Sequence, residues 1–158
     1  MTHSAAVDRS RAKVVLAFVG ATLLAAAFGS VFMPGPWYQA LDKPSWTPPN
    51  WLFGPVWTSL YFMIAAAGVL AWNTPAIRVR ATRWWAAQMA FNACWSLVFF
   101  GLHSPALGLV VIAGMLASIV GFVVVTRRAA PIAAGLFVPY LAWVSFAGAL
   151  NLAIALAN

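Results

Sequence analysis

The chain contains four long stretches without a single Lys, Arg, Asp or Glu, at residues 14–41, 44–77, 84–126 and 129–158. A helix of about 20 apolar residues crosses the ~30 Å hydrocarbon core of a bilayer, so each stretch is long enough for at least one span. With 64% apolar and 7% charged residues, the composition also lies far outside the range of soluble domains. The sequence therefore predicts an integral membrane protein.

The third stretch is long enough for two spans. As one helix it would be about twice as long as the hydrocarbon core is thick, and residues 101–105 supply a break, because Ser104 can cap a helix and Pro105 can occupy its first position. We expect one domain, residues 1–158, that is an all-α membrane protein with a compact bundle of five transmembrane helices, since helices satisfy their own backbone groups in lipid. The predicted spans are 14–33, 54–72, 84–102, 105–126 and 131–157.

Lysine and arginine are distributed very unequally over the predicted loops. Lys43 alone lies in the loop after the first span, whereas the other eight basic residues precede the first span or follow the second and fourth. The eight are Arg9, Arg11, Lys13, Arg78, Arg80, Arg83, Arg127 and Arg128. Because basic loops stay on the cytoplasmic side, we expect a cytoplasmic N-terminus and an outer C-terminus. The excess of basic residues is thus explained by the membrane topology of the chain, and no nucleic-acid partner is expected.

The first predicted loop concentrates proline and tryptophan. Residues 34–57 hold six of the ten prolines and four of the nine tryptophans. Proline fixes φ and lacks a backbone donor, so this segment cannot form one regular helix. We expect a stiff, Trp/Pro-rich lid on the outer face of the bundle, ordered in part by a salt bridge between Asp42 and Lys43.

The predicted spans contain almost no groups suited to acid–base or metal chemistry. Neither Asp nor Glu occurs in them, both histidines lie outside them, and Cys94 is the only cysteine. No catalytic triad or metal-ligand spacing is present. We therefore expect no metal site, no hydrolytic mechanism and no proton-coupled pump.

Neutral polar and aromatic residues instead share one face in each of three predicted spans. The members are Trp57, Tyr61 and Gly68 in the second span, Gln88, Asn92, Trp95 and Ser96 in the third, and Tyr140, Trp143, Ala147 and Asn151 in the fifth. If the three faces converge, they form a mainly apolar pocket with a few hydrogen-bonding groups. That is the usual composition of a small-molecule site.

Many of these residues also have a purely structural interpretation. Gln88 and Asn92 are suited to hydrogen bonds between helices that hold the bundle together. Tryptophans near span ends are typical anchors at the membrane interface. This interpretation applies to Trp37, Trp51, Trp72, Trp84 and Trp85.

Four ordered motifs resemble a known family over nearly the whole chain from the first span onward. They are W-Y-Q-A-L-D-K-P-S-W-T-P-P-N-W at 37–51, G-P-V-W-T-S-L-Y at 54–61, F-N-A-C-W-S-L-V-F-F-G at 91–101 and V-P-Y-L-A-W-V-S-F-A-G-A-L-N at 138–151. These runs closely resemble the TspO/MBR family, which includes the tryptophan-rich sensory proteins and the mitochondrial translocator protein.

The resemblance implies a homodimer of five-helix subunits whose first loop closes over a porphyrin pocket. Protoporphyrin IX or haem would be a ligand, and no obligatory cofactor is implied. Carried over by motif, the ligand-binding residues would be Trp37, Tyr38, Pro48, Trp57, Asn92, Trp143 and Ala147. Trp57 and Trp143 also match the tryptophans that are connected in the family with porphyrin breakdown.

Three functions are compatible with these observations. The leading hypothesis is a receptor-like protein that binds porphyrins and similar flat hydrophobic molecules as a sensor, carrier or scavenger. The second is an enzyme that degrades porphyrin oxidatively in light, with Trp57 and Trp143 as its catalytic residues. The third is a membrane scaffold or transport protein without ligand chemistry.

The end of the chain departs from the animal members of the family. Those members carry a Tyr followed by an Arg near the end of the fifth helix, a pattern proposed for cholesterol recognition, whereas residues 151–158 here contain neither. We therefore expect no sterol site of that type. The departure favours a bacterial cell membrane as the location, with the outer membrane as the alternative.

Overall fold

The computed structural model describes the backbone from residue 2 and the side chains from residue 11 onward. Six α-helices and one π-helical turn follow one another, with no β-strand among residues 2–158. They are α1 (Thr2–Val31), α2 (Pro36–Ala40), α3 (Asn50–Trp72), α4 (Arg78–Ser96), the π-helical turn (Leu97–Gly101), α5 (Pro105–Thr126) and α6 (Pro131–Ala157). Arg9, one of the eight clustered basic residues, lies outside the residues whose side chains are described.

Four helices are long and apolar enough to cross a membrane, namely α3, α5, α6 and the part of α1 from Arg11 to Val31. The protein is therefore an integral, all-α membrane protein, as predicted. α4 is less apolar because three arginines lie in its first two turns and Gln88 and Asn92 lie in its middle. It nevertheless packs inside the bundle against α1, α3 and α5.

Three helices begin earlier than the predicted spans, and α1 extends from Thr2 to Val31 where residues 14–33 were expected. α3 begins at Asn50 instead of residue 54, so Pro55 lies inside the helix and not in its first turn. The span predicted at 84–102 is already helical from Arg78, and its last turn is π-helical. The start of α5 is as predicted, because Pro105 is its first residue and the Leu107 N–H donates to Ser104 Oγ at 3.4 Å.

α3, α4, α5 and α6 form a closed ring in which each helix packs against the next, and α1 packs onto α3 and α4. The arginine-bearing loops are those that join α3 to the arginine-containing start of α4 and α5 to α6, and the half of the ring nearest to them is closely packed. There the rings of Phe122 and Phe137 stack with centroids 3.9 Å apart, and Ile64 and Ile119 are fully buried. The opposite half contains a cavity lined by Trp57, Trp95 and Trp143.

A short helix and an extended segment close that opposite end. We call residues 34–49, which contain α2, the lid. Trp37 stacks on His103 with ring centroids 4.5 Å apart, and Tyr38 packs edge-on against Phe99 and Phe100 of the π-helical turn. Further along, Trp46 packs edge-on against Phe146 of α6 at 5.7 Å. The lid is therefore attached to both sides of the ring.

The predicted salt bridge between Asp42 and Lys43 is wrong. The Lys43 ammonium instead donates to the carbonyl oxygens of Tyr38, Gln39 and Leu41, at 2.7, 3.1 and 2.8 Å. These carbonyls are left without helical partners where α2 ends, so a lysine that caps all three satisfies more groups than a pairing with one exposed carboxylate. Lys43 thus orders the lid through backbone contacts.

Candidate functional site

A cavity of about 610 Å³ lies beneath the lid, in the half of the bundle away from the arginine-bearing loops. Small-molecule and cofactor sites typically measure about 300–1,000 Å³. All five long helices contribute to its wall, together with Pro34 and Tyr38 of the lid, and none of the described lining residues is charged. Among the residues with described side chains, no three His, Cys, Asp or Glu groups lie close enough to hold a metal ion.

Tryptophans form much of the wall. Trp57 of α3, Trp95 of α4 and Trp143 of α6 all line the cavity. Trp57 packs against Tyr61 at 5.4 Å, and Trp143 packs between Phe53 and Phe146, both at 5.6 Å. Because each indole is held by neighbouring rings, the aromatic wall is preformed.

Asn92 is the main buried polar group of the wall. The Tyr61 hydroxyl donates to Asn92 Oδ1 at 3.0 Å, and Asn92 Nδ2 donates to the Tyr140 hydroxyl at 3.2 Å. Asn92 thereby links α4 to α3 and α6, so the structural interpretation of this residue is confirmed. A side-chain amide has two donors and a two-lone-pair acceptor, so one N–H and one lone pair remain for a ligand.

A second polar link fixes the orientation of Trp95. Its indole N–H donates to Asn151 Oδ1 at 3.1 Å, and Asn151 Nδ2 donates to the Pro105 carbonyl at 2.7 Å. The link joins the end of α4, the start of α5 and α6. It holds the Trp95 ring parallel to Phe99, with centroids 5.0 Å apart.

Gln88 lies one helical turn before Asn92 but behaves differently. Its side chain is 0% exposed, and within the described part of the chain neither amide atom has a hydrogen-bond partner. The expected interhelical hydrogen bonds of Gln88 are therefore not formed. Gln88 also does not line the cavity.

Five of the seven predicted ligand-binding residues come together around the cavity. They are Tyr38, Trp57, Asn92, Trp143 and Ala147. Burial raises the pKa of the Tyr38 hydroxyl, so this group stays neutral. Trp37 and Pro48 do not line the cavity, because Trp37 packs outward onto His103 and Phe99, and Pro48 lies in the extended part of the lid.

The tryptophans considered as interface anchors have different environments. Trp85 is buried and donates to the Ile64 carbonyl at 2.8 Å, so the anchor interpretation is wrong for this residue. Trp51 is 71% exposed and also lines the cavity. Trp72 packs under the guanidinium of Arg78 at 5.2 Å, at the arginine-bearing end.

The contribution of α1 to the wall was not predicted. Ala26, Gly29 and Ser30 line the cavity, although α1 has no polar or aromatic stripe. The available indication was the pair of small residues Ala25 and Gly29, because small residues permit close helix approach. A Cβ atom on Gly29 would lie 3.3 Å from Ser96 Oγ of α4.

Comparison with known proteins agrees with this architecture. The family model described as TspO/MBR family matches residues 14–157. The chain is 42% identical to Protein CrtK of Rhodobacter capsulatus, over 82% of this chain and 83% of that protein, and 45% identical to Tryptophan-rich protein TspO of Archaeoglobus fulgidus, over 77% and 80%. It is 34% identical to the human Translocator protein, over 86% and 85%. Because the family model matches this helical membrane bundle along almost its entire length, the chain belongs to the TspO/MBR family.

Proposed function

We propose that this protein is a receptor-like membrane protein that binds a flat hydrophobic ligand of the porphyrin class in the cavity beneath the lid, as a sensor, carrier or scavenger. The observation that carries the proposal is a cavity of about 610 Å³ whose wall combines Trp57, Trp95 and Trp143 with no charged residue among those described. Burial of apolar surface contributes roughly 25 cal/mol per Å², and well-placed aromatic pairs add about 0.5–1.5 kcal/mol each. The binding of a planar macrocycle would be stabilised both by the burial of its apolar surface and by its contacts with the aromatic rings.

The polar groups around the cavity fit a ligand that has an apolar ring and a polar edge. The free N–H and lone pair of Asn92 lie deep in the wall, where they can form a hydrogen bond with a ring nitrogen and so orient the ligand. Carboxylate groups would remain near the exposed Ser30 and Asn50, because a carboxylate buried without a partner is costly. No obligatory cofactor is needed for binding of this kind.

The lid supports tight binding because it is already ordered. Loops that become ordered only on binding lose affinity through the entropy of ordering. Here the Lys43 hydrogen bonds order the lid internally, and Trp37 on His103 and Trp46 on Phe146 attach it to the bundle. Little further ordering is required when a ligand enters.

Equilibrium titration with protoporphyrin IX in the dark tests the proposal. We expect saturable binding, measured as a change in the porphyrin absorption band. Combining Trp57→Ala with Trp143→Ala should raise the Kd about tenfold or more. Trp84→Ala is the matched control, because Trp84 packs on Gly121 outside the cavity wall and its loss should leave the Kd unchanged. Equal affinity in the double variant and the parent protein would reject this site.

Two further proposals concern assembly and orientation. We infer a homodimer and a cytoplasmic N-terminus, supported by the family and by the asymmetry of basic residues. In a Cys94→Ala background, an impermeant thiol reagent added to intact cells should label Ser45→Cys in the lid and spare Ala129→Cys between α5 and α6. The reverse labelling pattern would mean that the N-terminus lies outside the cell. A monomeric mass in detergent and in nanodiscs would refute the dimer.

A further inference from the structure

The residues that line the cavity differ sharply in exposure. Every lining residue of α4, α5 and α6 is buried or half-buried. The exposed ones belong only to the end of α1, the residues just after it and the start of α3. They are Ser30, Met33, Pro34, Asn50, Trp51 and Gly54. The cavity is therefore open on one side, between α1 and α3.

The opening exists because α1 and α3 diverge toward the lid. Near the arginine-bearing end they touch closely, since a Cβ on Gly68 of α3 would lie 2.4 Å from the Phe18 ring of α1. Toward its C-terminal end α1 instead approaches α4, where a Cβ on Gly29 would lie 3.3 Å from Ser96 Oγ. At Gly54, near the start of α3, an added Cβ would meet no atom within 4 Å.

Two large apolar side chains lie at the rim of this opening. Met33 and Trp51 at the rim are 68% and 71% exposed, and the polar residues Ser30 and Asn50 are exposed there as well. Large apolar side chains at such a surface are stable in contact with lipid, and a tryptophan at the rim is typical of the membrane interface. An opening with this rim is suited to contact with lipid. The lid, by contrast, is tied down above the cavity through Trp37, Asp42 and Trp46.

We propose that the cavity exchanges its contents sideways with the bilayer, through a portal formed by Ser30, Met33, Trp51 and Gly54 between α1 and α3. The ligand is then a molecule dissolved in the membrane, and the lid remains closed during exchange. The identity of the ligand rests on the proposed function, whereas the portal itself can be tested without that ligand.

A cysteine inside the cavity provides this test. Ala147→Cys in a Cys94→Ala background places a thiol on the wall and removes the exposed native thiol. The protein is reconstituted in vesicles and treated either with a long-chain N-alkyl maleimide, which partitions into lipid, or with a sulfonated maleimide, which stays in water. We expect the alkyl reagent to label Ala147→Cys at least about tenfold faster.

Filling the portal should block this labelling. Gly54→Trp adds a large side chain where there is open space, so it should fold normally and slow the alkyl reagent at least about tenfold. Met33→Trp is a second variant at the same rim. Val138→Trp, on the exposed surface of α6 outside the cavity, is the matched control and should not slow labelling.

Three outcomes would overturn the portal. These are labelling by the sulfonated reagent at a rate equal to that of the alkyl reagent, an unchanged alkyl rate in both portal variants, or no labelling by either reagent. The first would place the opening at the aqueous side, the second would place it elsewhere in the membrane, and the third would mean that the cavity is closed.

Protoporphyrin IX kinetics then connect the portal to the proposed function. We expect Gly54→Trp to slow both the association and the dissociation of protoporphyrin IX, as it slows the alkyl maleimide. The association rate should follow the porphyrin-to-lipid ratio and not the aqueous volume, and dependence on aqueous volume would count against the portal. If the parent protein fails to bind porphyrin, the proposed function fails, whereas the maleimide result still decides the portal.

Discussion

The side chain of Asn158 forms hydrogen bonds with both backbone groups of Asp42. Asp42 N–H donates to Asn158 Oδ1 at 3.0 Å, and Asn158 Nδ2 donates to the Asp42 carbonyl at 3.1 Å. The same amide nitrogen donates to the Ile154 carbonyl at 2.9 Å, so Asn158 also caps α6. One side chain therefore joins the end of the last helix to the middle of the lid.

Replacing Asn158 with Ala should loosen the lid and leave the bundle intact. Each hydrogen bond contributes about 0.5–1.5 kcal/mol, so loss of the pair corresponds to roughly tenfold faster amide hydrogen exchange in the lid near Asp42. Hydrogen exchange measured by mass spectrometry checks this. Asn73→Ala, at the end of α3 on the opposite side of the bundle, is the control. Unchanged lid exchange in Asn158→Ala would show that the aromatic contacts alone hold the lid.

Gln88 and Asn92 should respond oppositely to replacement by Leu. Gln88→Leu removes two buried polar atoms that have no partner in the described structure and should raise the free energy of unfolding by about 1–3 kcal/mol. Asn92→Leu leaves the hydroxyls of Tyr61 and Tyr140 without their partner and should lower it by a similar amount. Unfolding in detergent measures both. A destabilised Gln88→Leu would mean that the Gln88 amide is satisfied in solution.

Two glycine substitutions test how closely α1 and α3 approach. Gly68→Ala would place a methyl group 2.4 Å from the Phe18 ring and should lower the free energy of unfolding by about 1–3 kcal/mol. Gly20→Ala, in α1, meets no atom within 4 Å and should raise it by about 0.5–1 kcal/mol, because alanine favours a helix. Equal effects of the two substitutions would contradict the close contact between these helices.

Local chemistry made several features predictable. Ser104 and Pro105 mark the start of α5 because a cap and a proline act on the residues next to them. The helical spacing of Trp57 with Tyr61 and of Trp143 with Ala147 correctly placed these residues on cavity-facing sides of α3 and α6. Periodicity alone is enough for such a face, since a polar or aromatic stripe in lipid turns toward protein.

Other features depended on contacts between distant segments. Lys43 caps the end of α2, and the backbone of Asp42 binds Asn158, so a neighbouring pair of opposite charges did not form a salt bridge. Gln88 and Asn92 share one predicted stripe, yet only Asn92 meets hydroxyl groups on α3 and α6. The rotation of α4 against its neighbours, set by side-chain packing, decides which of the two amides finds a partner.

The sequence by itself determined that the chain is a helical membrane bundle with a proline-stiffened lid, because apolar composition and proline act wherever they occur in a chain. Only the tertiary structure decided that Trp57 and Trp143 face a common cavity, that Trp37 packs outside it, and that α1 and α3 part on one side. These outcomes depend on the tilt and rotation of whole helices. Tilt and rotation are set by packing among residues far apart in the sequence.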